Sequence, residues 1–290
     1  MKKIGLMFAV VLLTAGIVFA NGELETPASS AKSEVKYKVA TSLAPNDSIP
    51  TALNEAIVEI AEKTDGRMQG VAFHSSQLGS QRDYLDGLQM GSIQIAETST
   101  SLLAGIDSKF AIFDMPYISR DVAHCQSVLD NGLAEILSTS LEKTAGLKIL
   151  GWAIRTPRNV YSSKGPINSV KDFKGLKIRT METKAVMGAM ILLDASPVPI
   201  PGTERYMALQ TKVVDAAENS SAEILVKKEY EVTKYLSKTE HLIAPNPIIC
   251  SVAWFNQLDP ETQGILLYSG TGNIFHKSAH FLGDWGIICL

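Results

Sequence analysis

Val35, Tyr37 and Val39 alternate with Lys36 and Lys38, the period-two pattern of a half-buried strand, and a helical pattern follows it. Ser48 offers a helix cap, and Leu53, Ala56, Ile57, Ile60 and Ala61 recur behind it at helical spacing. Residues 67–73 read as a second strand. Ser80-Gln-Arg-Asp83 is a variant of the capping box ahead of Tyr84, Leu85 and Leu88, and 93–96 reads as a third strand. Strands separated by helices cannot pair as hairpins. The sheet they form is parallel or mixed and covered by helices.

The second half keeps the same rhythm. Residues 147–152 and 160–163 read as strands, and Gly175 breaks the chain before a strand over 176–180. A helix over 182–193 follows, then a short strand over 198–200 between Pro197 and Pro201. Thr203 is placed to cap a helix over 204–210. Val213-Val214 makes a brief strand, and helical character returns after Ser220. There is no sequence repeat and no long linker. Two α/β lobes joined by crossing strands fit this order better than one sheet.

The first twenty residues stand apart. Lys2 and Lys3 precede an apolar run from Leu6 to Phe19, and Val18-Phe-Ala20 ends in the small residues of a cleavage site. This is the pattern of a secretory signal peptide, too short to be an ordinary membrane span. No cysteine follows to take a lipid. Residues 21–35 read as a flexible lead-in. The roughly 270 residues that remain are enough for two domains. Net charge is −3 with no run of Lys or Arg, which argues against a nucleic-acid partner. Cys125, Cys250 and Cys289 are odd in number and far apart, so no disulfide framework is expected, and Cys125 and Cys250 read as buried thiols.

The densest chemistry lies in residues 172–219. The stretch opens with Asp172-Phe-Lys-Gly-Leu-Lys-Ile-Arg179, passes through Glu204-Arg-Tyr206-Met-Ala-Leu-Gln210 and closes on Val213-Val-Asp215-Ala-Ala-Glu218-Asn219. An Arg ending a short apolar strand is a ready carboxylate clamp, because its planar fork donates two parallel hydrogen bonds. The order and spacing of these pieces resemble the solute-binding subunits of TRAP transporters, the dicarboxylate-binding-protein family, over about residues 36–265. The resemblance implies a two-lobed α/β solute-binding fold with a hinge and a central cleft. Lobe one would be residues 36–155 plus 245–290, and lobe two 156–244.

The resemblance also implies site residues. Arg179 would pair with the ligand carboxylate, and Asn219 would face the ligand; by its residue type alone Asn219 also reads as a helix cap. Arg158 matches a second basic contact, with Arg155 a close competitor. Arg82, after Gln77-Leu78-Gly79, would line the cleft from the opposite lobe, although it also reads as a solvated helix residue. Glu204 and Tyr206 match a helix near the cleft, where Leu209 and Gln210 read as packing and capping residues. Trp152 reads either as pocket wall or as core. Ala216 and Pro157 stand where the family usually has glycine. Leu258-Asp-Pro260 begins a late helix that Ser269-Gly-Thr-Gly272 interrupts, where the family continues with a long charged helix.

The chain has no His-Glu-x-x-His, Gly-x-Ser-x-Gly or Cys-x-x-Cys. His276 and His280 share a helical spacing but lack a third metal ligand. The expected function is capture of a small organic acid, a dicarboxylate or sugar acid, in the periplasm and its delivery to TRAP permease subunits. No catalysis, cofactor or metal is called for. A ligand-sensing partner of a signalling receptor and an exported enzyme on a similar fold are the alternative readings. Cleavage is expected after Ala20, so mass spectrometry of exported protein should find Asn21 at the N-terminus; the full chain in the membrane fraction would refute it.

Overall fold

The computed structural model describes residues 34–267; the signal segment, all but the end of the lead-in, Cys289, His276, His280 and the closing apolar run lie outside them. The chain runs β1 (Val35–Ala40), α1 (Ser48–Lys63), β2 (Met68–Phe73), α2 (Gln81–Met90), β3 (Ile95–Glu97), α3 (Thr100–Leu103), α4 (Val122–Val128), α5 (Ala134–Ala145) and β4 (Leu147–Ile154). It continues through β5 (Arg158–Ser162), β6 (Lys177–Thr180), α6 (Lys184–Leu192), β7 (Ser196–Pro199), α7 (Arg205–Gln210), β8 (Ala216–Ser220), α8 (Ser221–Val226) and β9 (Tyr235–Leu242). It ends with β10 (Pro245–Ser251), α9 (Val252–Phe255) and α10 (Pro260–Leu267).

These strands form two five-stranded sheets, ordered β2-β1-β3-β10-β4 and β7-β6-β8-β5-β9. In the first, β1 lies parallel to β2 and β3, while β10 runs antiparallel to β3 and β4. In the second, β6 lies parallel to β7 and β8, while β5 runs antiparallel to β8 and β9. Each sheet therefore has one reversed strand in its fourth position. The chain crosses between the sheets twice, through residues 155–157 and 243–244.

Strand alternation supplies a core on each face of each sheet. Tyr37 and Val39 of β1 pack with Leu53, Ala56 and Ile60 of α1 and with Trp254 and Phe255 of α9. Ala40, one residue on, turns to the other face with Leu85 and Leu88 of α2 and Leu137 and Leu141 of α5. In the second sheet Val160, Ile178 and Ala216 face Met190 of α6, while Tyr161 and Ala217 face Leu209 of α7 and Ile224 of α8. Cys125 and Cys250 are buried free thiols, as read.

Several expectations move by a residue or two. Asp47, not Ser48, caps α1: its Oδ1 accepts from the Ile49 amide at 3.2 Å. Glu204 takes the cap position of α7 without a side-chain bond, so Thr203 is not the cap. The strand expected at Val213-Val214 begins at Ala216, because Lys212 turns at φ 59° and the Asp215 carboxylate takes the Lys177 amide at 3.2 Å. Strands β9 and β10 had no clear sequence signal. Pro245 and Pro247 in β10 read against an interior strand, but Pro245 opens the strand and both pair with β4 alone, the ladder to β3 beginning at Ile248.

Gly70 of β2 sits opposite Tyr37 of β1, and a Cβ added there would lie 2.5 Å from the tyrosine ring. The ring is 2% exposed and also packs against Trp254, with centroids 6.1 Å apart, so it has little room to shift. Gly70→Ala should cost about 1–3 kcal/mol by overpacking, read as a lower urea midpoint. A midpoint equal to the parent's would mean that the ring swings clear.

Candidate functional site

Between the two sheets lies a cleft of about 210 Å³. Ser42, Gln81 and Asn246 line it from the first sheet, and Arg179, Arg205 and Asn219 from the second. Pockets for drug-sized ligands run to roughly 300–1,000 Å³, so this cleft suits a ligand smaller than those.

Arg179 is placed by β6, whose Val198 partner on β7 fixes its register. It is 3% exposed. Its Nε donates to the Ile200 carbonyl at 2.8 Å, and its Nη1 is buried with no hydrogen-bond partner. Among the described residues no carboxylate forms an ion pair with it. Burial, and then the nearby Arg205 guanidinium, lower its pKa to about 10. Asn219, on β8 opposite Asn159 of β5, is 1% exposed. Its Oδ1 accepts from the Ser220 amide at 2.8 Å, and its Nδ2 is buried without a partner. Two buried donors, on residues that line one cleft, are thus left without acceptors.

The other arginines around the cleft each have a carboxylate. Arg158 grips Glu218 with Nη2 to Oε1 at 2.9 Å, and with a second bond from Nε to Oε2. Burial alone would raise the Glu218 carboxyl; Arg158 and His241 outweigh it and hold the group well below the usual range. Arg155 forks onto Asp47, Nη2 to Oδ2 at 2.9 Å and Nη1 to Oδ1 at 3.4 Å, and lies 3.8 Å from Glu223. Both Arg155 and Arg158 line the cleft, each already neutralised. Arg82 sits at the mouth, its side chain 65% exposed and 3.4 Å from Glu182 across the cleft.

Two expected residues are not brought to the cleft. Glu204 is exposed, and Tyr206 turns its hydroxyl to Glu231 at 3.2 Å. Successive helix positions differ by about 100°, so the residue between them points the other way. That residue is Arg205, 3% exposed, which the sequence reading passed over. It donates to Glu229 at 2.8 Å and to Glu223 at 3.0 Å, and Tyr161 donates to Glu229 at 2.5 Å. The signal was present: Arg205 shares the spacing of the buried Ala208 and Leu209, and a charge on the apolar face of a helix needs a reason. Its Nη1 and the Nη2 of Arg179 lie 3.9 and 3.8 Å from where a Cβ on Gly202 would be, which places both guanidinium groups beside this one cleft-lining glycine.

Trp152 is core: it is 4% exposed and packs against Phe110 and Phe113 at centroid distances of 6.4 and 6.1 Å. Gln81, Asn246 and Glu223 line the cleft without having been singled out from the sequence. Among the described residues no group of three His, Cys, Asp or Glu side chains is placed to hold a metal ion.

Residues 39–269 match the family described as bacterial extracellular solute-binding protein, family 7 (DctP). The 2,3-diketo-L-gulonate-binding periplasmic protein YiaO of Escherichia coli is 33% identical over 220 residues, covering 75% of this chain and 67% of the relative. A TRAP periplasmic solute-binding protein from Roseobacter denitrificans, solved with bound β-D-glucuronate, superposes with a TM-score of 0.81 at 27% identity, covering 86% of this chain and 81% of that one. The sugar acid binding protein DctPAm from Advenella mimigardefordensis, in complex with galactonate, superposes with a TM-score of 0.80 at 27% identity over the same shares. A match running through both sheets, with the two-lobed architecture of solved relatives, means that the chain belongs to family 7 of the bacterial extracellular solute-binding proteins.

Proposed function

We propose that this protein is the extracytoplasmic subunit of a TRAP transporter, capturing a sugar acid or related small carboxylate and releasing it unchanged to membrane permease subunits. The observation that carries the reading is the pair of buried, unpartnered donors, Arg179 Nη1 and Asn219 Nδ2, in one cleft. A buried donor without an acceptor costs about 1–3 kcal/mol. A ligand carboxylate satisfies both and supplies the counter-charge that Arg179 lacks. The ligands of the relatives, diketogulonate, glucuronate and galactonate, are all hydroxylated acids of this kind. The leader over residues 1–20 agrees with work outside the cytoplasm.

The lobes in this reading are residues 36–155 with 245 onward, and 156–244. They hinge at the two crossings and close over the carboxylate. Charged pairs that span the cleft, Arg82 with Glu182 and Arg155 with Glu223, support closure as the bound state. Ligand at saturation should reduce the radius of gyration in small-angle scattering. An unchanged radius would argue for a rigid pocket.

A thermal-shift screen of organic acids tests the reading itself: a true ligand at about 100 times its Kd should add about 2.7 kcal/mol of stability. The best ligand should be recovered chemically intact after incubation. Arg179→Lys keeps the charge but loses the fork, and should weaken binding by about 2–3 kcal/mol, or about 30- to 150-fold by calorimetry. Arg179→Ala should be worse. Parent-like binding by both folded variants would remove Arg179 from the clamp and leave Arg158 or Arg155 in its place.

A further inference from the structure

The wall of the cleft contributed by the first sheet has a definite hydrogen-bond polarity. Behind it lies Glu97, at the end of β3, with 0% exposure. Its Oε2 accepts from Thr41 Oγ1 at 3.0 Å. Its Oε1 accepts from Gln81 Nε2 at 3.4 Å and from Asn246 Nδ2. The Gln81 amide is pinned the right way round, because its Oε1 takes the Ser99 amide proton at 3.3 Å. Gln81 Nε2 also donates to Ser42 Oγ at 3.1 Å, so that hydroxyl oxygen is already engaged and its proton is turned to other acceptors.

Asn246 is left with one atom to offer. Its amide nitrogen is committed to Glu97, and no donor among the described residues bonds its Oδ1, while the residue itself lines the cleft. The wall therefore presents a carbonyl acceptor beside a hydroxyl donor. A ligand hydroxyl answers both, since it donates and accepts. A carboxylate has no proton for Asn246 and sets its charge against the carbonyl with Glu97 behind it. Elsewhere in the cleft only one guanidinium is without a carboxylate: Arg82, Arg155, Arg158 and Arg205 are paired, and Arg179 is not.

We propose that the cleft selects hydroxylated monocarboxylates over dicarboxylates, with Asn246 as the specificity-determining acceptor and Glu97 as the positioning residue that turns its carbonyl to the ligand. This rests on the carboxylate-binding reading and decides between the dicarboxylates and sugar acids that the sequence leaves open.

Calorimetry with matched acids tests it. D-Gluconate and D-galactonate carry a terminal hydroxyl where D-glucarate and galactarate carry a second carboxylate. Wild type should bind the better aldonate about 10- to 100-fold more tightly than its dicarboxylate counterpart, the effect of one mismatched buried polar group. Glu97→Gln supplies an amide that can donate to Asn246 Oδ1, which lets the Asn246 amide turn and show its nitrogen to the cleft. The preference should then fall to within about threefold. Because Glu97 is fully buried, melting of each variant is followed alongside, and Asn246→Ala serves as the second variant. It should weaken the aldonate while sparing the dicarboxylate. A loss of packing alone would weaken both acids together.

Equal or tighter binding of the dicarboxylate by wild type overturns the proposal, and so does a wild-type preference retained in both folded variants. Selective binding of simple acids without hydroxyls, such as acetate or butyrate, overturns it as well. If no carboxylate in the set binds at all, the transport reading fails and this proposal falls with it.

Discussion

Burying a guanidinium without a counter-ion is among the costlier things a fold can do, and the second sheet is arranged around one such group. Arg179 is 3% exposed, on a strand whose register is set by β7 and β8, and its Nε is tied to the Ile200 carbonyl at 2.8 Å. Every other arginine of the cleft has been given a carboxylate. Arg205 has Glu229 and Glu223, Arg158 has Glu218, and Arg155 has Asp47. These pairs keep the interior close to neutral and hold each guanidinium in one geometry. Arg179 is the exception, a buried guanidinium that lines the cleft with no carboxylate paired to it among the described residues.

The two sheets share a strand pattern that the sequence does not repeat. In each, three parallel strands are followed by one reversed strand and a fifth that restores the first direction. The reversed strand is where the chain arrives from the other sheet: β5 follows β4 through residues 155–157, and β10 follows β9 through 243–244. Two short crossings, residues 155–157 and 243–244, carry the chain between the sheets. They also carry site chemistry. Arg155 lies in one crossing, Arg158 begins the strand after it, and Asn246 is the second residue of the strand after the other. The crossings and the cleft therefore share residues.

Much of this was legible before any coordinates. Strand-helix alternation and the run ending at Arg179 fixed the class of fold, and hydrogen-bond chemistry pointed to a carboxylate ligand. What could not be read was orientation around a helix and direction across a gap. Glu204 and Tyr206 flank Arg205 in sequence, and only its alignment with Ala208 and Leu209 tells which of the three turns inward. Pro245 and Pro247 hid β10, since proline reads as a strand breaker until its place beside β4 alone is seen. The cap of α1 slid from Ser48 to Asp47 for a long-range reason. The same carboxylate that caps the helix also forks with Arg155, 108 positions away.

That double use of Asp47 shows how local and functional constraints are joined here. Capping needs only a short acceptor, and Ser or Asn would serve. Balancing Arg155 needs a carboxylate. Only an acid does both, so the residue that starts α1 is chosen by the cleft as much as by the helix. Glu97 follows the same logic from the other direction. It closes β3 in a position where any buried side chain would pack, but its two oxygens collect donors from Thr41, Gln81 and Asn246. Those three side chains belong to the end of β1, the start of α2 and the start of β10. One buried carboxyl thus ties together three segments distant in sequence and orients two amides that line the cleft. The apolar core holds the sheets, while these few acids set the polarity of the space between them.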